Sequence, residues 1–104
     1  MQIDAIIIKE QDNVATALRD IQPNEEIMAG VGDEARPFVV QEFISYGHKF
    51  SVKDIAPGEN ILKYGEVIGR ATREIRAGTH AHIHNIESLR GRGDLETGES
   101  KNGI

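Results

Sequence analysis

Ser51-Val52-Lys53-Asp54-Ile55-Ala56-Pro57-Gly58-Glu59-Asn60-Ile61 has two partial copies elsewhere in the chain. One is Ala17-Leu18-Arg19-Asp20-Ile21-Gln22-Pro23-Asn24-Glu25-Glu26-Ile27, and the other is Ala71-Thr72-Arg73-Glu74-Ile75-Arg76-Ala77-Gly78-Thr79-His80-Ala81. Each copy carries an acidic residue, an isoleucine expected in the core, two spacers, and then Gly or Asn. Gly and Asn tolerate left-handed backbone angles, so the repeat reads as one turn used three times. Each turn is expected to feed a short strand, at 26–28, 60–62 and 80–83. The spacing of the copies is irregular, which argues for a compact all-β fold rather than a solenoid.

The segments between the copies supply the remaining elements. Ala5-Ile6-Ile7-Ile8 is a short apolar run expected to be a buried strand. Phe38-Val39-Val40-Gln41-Glu42-Phe43-Ile44 is expected to be extended, with Pro37 disfavouring an earlier helix. His48-Lys49-Phe50-Ser51-Val52 alternates polar and apolar residues as a half-buried strand does. Asp12 or Asn13 offers an N-cap, with Val14, Ala15, Ala17, Leu18 and Ile21 following at helical spacing until Pro23. The expected fold is therefore mainly β with one short helix near the N-terminus. Residues 1–87 are read as the domain, and the polar, glycine-rich 88–104 as an exposed tail or docking arm.

Bulk composition narrows the function. A chain of 104 residues is one domain with a modest aliphatic core, since it holds three Phe, two Tyr and no Trp. The net charge of −5 argues against nucleic acid, and the one basic cluster, Arg90-Gly91-Arg92, is too short to reverse that. No run approaches the roughly 20 apolar residues of a membrane span. The N-terminal residues lack the blocks of a signal peptide. The absence of cysteine excludes disulfides and thiolate metal sites and fits a cytoplasmic location.

Three of the four histidines stand at alternate positions in Thr79-His80-Ala81-His82-Ile83-His84-Asn85. On an extended strand they would share one face. Neighbours would lie roughly 6.6 Å apart and the outer pair roughly 13 Å apart, at a rise of ~3.3 Å per residue. With metal–nitrogen bonds of ~2.0–2.1 Å, two of these imidazoles can reach one ion, but not all three unless the strand bends. His48, between Gly47 and Lys49, adds a proton carrier beside a fixed charge. Lys63-Tyr64-Gly65 and Ile68-Gly69-Arg70 place two cations and a phenol around glycines, a set suited to gripping an anion. No Gly-x-Ser-x-Gly, nucleophilic cysteine or dinucleotide fingerprint is present.

Taken in order, several stretches resemble the small SAF-type (β-clip) domain of the altronate/galactarate dehydratase family. They are Asp12-Asn13-Val14-Ala15, Gly47-His48-Lys49-Phe50 with Asp54-Ile55, Ile61-Leu62-Lys63-Tyr64-Gly65-Glu66-Val67-Ile68-Gly69, and Gly78-Thr79-His80-Ala81-His82-Ile83-His84-Asn85. The resemblance covers about residues 4–94 and is weakest over 28–40. It implies the small subunit of a two-subunit, altronate-type sugar-acid dehydratase, a hydro-lyase inactive without a separate large catalytic subunit. The implied reaction removes water from a 2,3-dihydroxy acid to give a 2-keto-3-deoxy acid, with Fe(II) or Mn(II) as the divalent metal. By the same resemblance His80, His82 and His84 are candidate metal contacts and His48 a candidate acid/base. Lys63, Arg70 and Asn85 are candidate substrate contacts. The triple-His stretch is also similar to the small subunit of (2R)-sulfolactate sulfo-lyase, which keeps that reaction open. A non-catalytic sugar-acid-binding or assembly module is a third reading. Separated from a larger partner, the chain is expected to expose an apolar patch and to self-associate.

Overall fold

Residues 2–89 are described by a computed structural model, and they contain nine strands and no helix. The strands are β1 (Ala5–Ile7), β2 (Val14–Ala17), β3 (Glu26–Val31), β4 (Glu34–Val39), β5 (Lys49–Ser51), β6 (Asn60–Lys63), β7 (Glu66–Ala71), β8 (His80–Ala81) and β9 (Ile86–Ser88). Six form one sheet in the order β4-β3-β1-β2-β5-β8, and three form a second in the order β6-β7-β9.

The helix expected after Asp12 is not formed; its first residues are β2. That strand pairs antiparallel with β1 on one side and β5 on the other. Val14, Ala15 and Ala17 are all buried, so the strand is apolar on both faces and mimics helical spacing. Asp12 and Asn13 cap a hairpin instead of a helix. The Asp12 carboxylate accepts the backbone N–H groups of Lys9, Tyr64 and Gly65, and the Asn13 amide bridges Asn60 and Leu62. These bonds fasten the β6–β7 turn, where Tyr64 and Gly65 both take positive φ, to the start of β2.

The turn repeat is real, and it occurs four times. Asn24, Gly58 and Gly78 all have positive φ, at 65°, 86° and 87°. Each is the third residue of a turn closed by an i→i+3 bond: Glu25 to Gln22, Glu59 to Ala56, Thr79 to Arg76. The fourth copy begins at Val40, with Ile44 in the isoleucine position, Gly47 at φ 84° and His48 N–H bonded to Ser45. It escapes a sequence reading because Phe43 replaces the acidic residue. For the same reason residues 40–44, expected as strand, form the turn approach, while β4 ends at Val39 and carries Pro37 on a sheet edge.

The copies interlock in pairs. Ile21 and Ile44 exchange two backbone bonds, as do Ile55 and Ile75. Gly47 N–H donates to Ala17 and Asn24 N–H to Val40; Gly58 N–H donates to Ala71 and Gly78 N–H to Ser51. All four isoleucines are buried, two in each of two apolar clusters. The seam between those clusters is where β5 meets β8.

Candidate functional site: a histidine cluster at a sheet seam

β5 and β8 pair antiparallel with Lys49 opposite Ala81 and Phe50 opposite His80. That register carries His48 alongside His82, and their rings stack with centroids 4.4 Å apart. His80 lies 5.0 Å from His48, and a hydrogen bond of 2.9 Å joins His48 Nδ1 to His80 Nε2. One of the two nitrogens carries the proton and the other accepts it.

The extended comb does not persist beyond Ala81. Residues 82–85 form a turn in which Asn85 and Ile86 N–H groups donate to the His82 carbonyl. Asn85 enforces it: its Oδ1 accepts from His82 N–H and its Nδ2 donates to the His80 carbonyl. The turn folds His84 back, so its ring lies 5.2 Å from that of His80 rather than at strand spacing. His80 and His82 are also 5.2 Å apart. Four imidazoles thus gather, where a strand alone would have separated them. Buried Asn85 sits beneath the rings, bonded to their backbone, rather than among them.

Protonation is resisted at two of these rings. Burial, followed by repulsion from His82, His48 and His84, lowers the pKa of His80. Burial, followed by His48, Lys49 and His84, lowers that of His82. Both therefore favour the neutral imidazole, the form that accepts a proton or binds a metal. As donors they suit a divalent ion. Their arrangement does not: among the described residues no three His, Asp or Glu side chains are grouped to hold one. The facing nitrogens of His48 and His80 share a hydrogen bond, His82 stacks on His48, and His84 lies tilted against His80.

A cleft of about 300 Å³ opens beside His82. Lys49 from β5, and Lys63 and Tyr64 from the β6–β7 hairpin, line it together with Ile68, Ile83 and Ile86. Lys63 Nζ lies 4.8 Å from the centre of the Tyr64 ring. Arg70 is elsewhere: it is exposed on β7 and pairs with Glu87 at 3.2 Å. One contributor had no signal in the sequence, and another was visible only as a charge beside His48. Glu42 receives the His80 N–H from the fourth turn, and Lys49 lines the cleft from β5.

A nine-strand, two-sheet domain with paired turns and a histidine cluster at the seam defines a small all-β site-bearing module. Residues 3–89 match the altronate/galactarate dehydratase SAF domain, and the chain belongs to that family. It is 43% identical over 84 residues to altronate dehydratase of Bacillus subtilis and 40% identical over 83 to that of Escherichia coli. Each alignment covers 80% of this chain but only 16% of the longer protein. It is also 32% identical over 93 residues to the (2R)-sulfolactate sulfo-lyase subunit alpha of Chromohalobacter salexigens, covering 86% of this chain and 99% of that subunit.

Proposed function

We propose that this chain is the small subunit of a sugar-acid dehydratase of the altronate type, working with a separate large catalytic subunit. The observation that carries the reading is the imidazole cluster held around the His48–His80 hydrogen bond in a domain of this family. Elimination of water from a 2,3-dihydroxy acid removes the proton on C2 and breaks the C3–oxygen bond, giving an enol that becomes the 2-keto-3-deoxy acid. The C2 proton is weakly acidic, so a positioned base, and an acid for the departing hydroxyl, contribute on the order of 100- to 10,000-fold each. His48 is the acid/base assigned here. His80 holds its ring in place through the 2.9 Å bond, just as the third group of a triad orients its base.

Fe(II) or Mn(II) enters this proposal only as an ion shared with the large subunit, because these imidazoles do not form a metal site unaided. His82 and His84, which do not share the His48–His80 hydrogen bond, are the contacts assigned to such an ion. The subunit's own work is to hold substrate, handle the proton and close the site against water.

The test is reconstitution with the large subunit and assay of product formation from D-altronate. His48→Gln is expected to lower kcat on the order of 100-fold or more with assembly intact. Full activity in an assembled His48→Gln complex would reduce this domain to a binding or assembly module. A second reading is favoured by coverage: the alignment takes in 99% of the sulfo-lyase alpha subunit and 86% of this chain. Release of sulfite from (2R)-sulfolactate, with no turnover of altronate, would select it.

A further inference from the structure

We infer that the cleft between the two sheets is an anion subsite in which Lys49 and Lys63 together take the carboxylate of a small hydroxy acid. The inference rests on the dehydratase reading for its ligand class and extends it to a defined pocket and a second cation.

Charge is the first argument. Lys49 and Lys63 come from different sheets yet line the same cleft. Among the described residues neither ammonium has an acidic partner, whereas Arg19, Arg36, Arg70 and Arg76 each pair with a carboxylate. Burial and then repulsion from Lys63 lower the pKa of Lys49. Two like charges brought together in a partly desolvated cleft are unfavourable, and an anion between them reverses the sign of that interaction.

Shape and lining are the second. Ile68 and Ile86, both partly buried, give the cleft low-dielectric walls, which strengthen a charge pair relative to open water. Tyr64, His82 and Ser88 add hydrogen-bonding groups for hydroxyls. The volume of about 300 Å³ is at the small end of ligand pockets, a fit for a short acid rather than a nucleotide. Asp12 supplies the third argument. Its buried carboxylate holds the backbone of Tyr64 and Gly65, so the hairpin that presents Lys63 is fixed rather than free to swing.

Isoleucine-methyl NMR of the full chain tests it, with D-altronate as probe and the uncharged D-altritol as control. Altronate is expected to shift the methyls of Ile68, Ile83 and Ile86, and altritol to leave them unmoved. The Lys49→Gln, Lys63→Gln double variant is expected to bind altronate at least roughly tenfold more weakly, while Lys53→Gln binds normally. Unchanged Ile21 and Ile44 methyls certify that the variants fold. No altronate shift at these methyls, an equal response to altritol, or full affinity in the double variant overturns the subsite. If altronate binds here while the reconstituted complex eliminates neither water nor sulfite, the subsite stands and the proposed function fails. The converse pattern sinks the subsite alone.

Discussion

Tyr64 occupies a position that favours asparagine or glycine. It is the first residue of a two-residue hairpin turn, at φ 62°, followed by Gly65 at φ 73°. Such turns prefer Asn-Gly, and a bulky side chain there is strained. Tyr64→Asn is therefore expected to stabilise the fold by about 0.5–1 kcal/mol, read from urea denaturation, while weakening altronate binding. A loss of stability would mean the phenol ring contributes more to packing than its exposure suggests. The histidines make a second prediction, for chelator-treated protein. In the unfolded chain His80 and His82 titrate near 6.5, whereas in the folded one their pKa values are lowered. As pH falls below about 6.5 the unfolded state binds the extra protons, so stability decreases through the lowered pKa values. His80→Gln and His82→Gln should flatten that slope. Losses from the paired carboxylates Glu10 and Glu25 belong to a more acid range, since their pKa values are lowered from 4.5.

The turns separate two costs that a glycine can hide. Gly58 and Gly78 have nearly the same φ, but a Cβ on Gly58 meets nothing within 4 Å. On Gly78 it would come within 2.9 Å of the Val39 carbonyl oxygen. Gly58→Ala is expected to cost about 1–2 kcal/mol from backbone strain alone, and Gly78→Ala distinctly more. Equal losses in denaturant midpoints would contradict this. Three of these turns were legible because Asp20, Asp54 and Glu74 precede the isoleucines. Two of those carboxylates cap partner turns: Asp20 accepts Tyr46 N–H and Asp54 accepts Ala77 N–H. The strands after the turns were legible too. What misled was burial on both faces. Val14-Ala15-Thr16-Ala17 has no alternation to read, because both sheet neighbours and both apolar clusters cover it. The histidine comb misled in the opposite way: its alternation is strand-like, but the bonds of Asn85 override it after one residue pair.

At the level of the whole molecule, the exposed side chains give the proposed large subunit a surface to dock on. Ile83, at the tip of the histidine-bearing turn, is 84% exposed, and Tyr64 and Val67 stand exposed on the hairpin that shares the cleft. Apolar side chains clustered at a site's mouth mark a contact surface. Ile83→Glu is expected to leave the fold intact and to abolish co-purification with the large subunit. Retained assembly would place the interface elsewhere. The site itself was only half legible. His48, Lys63 and the three histidines were visible as residue types, but their convergence depends on the β5–β8 register and on two sheets meeting. Of the tail expected from residue 88 onward, Ser88 ends β9 and Leu89 N–H donates to the Ile68 carbonyl, while 90–104, with the basic cluster at 90–92, lie outside the described residues.

Lys49 belongs to one sheet, while Lys63 and Ile86 belong to the other. A molecule gripped by both lysines would act as a rivet, so its departure and a slight parting of the halves become a single event. Melting temperature should then climb with ligand concentration, and ligand release would be timed by the protein's breathing.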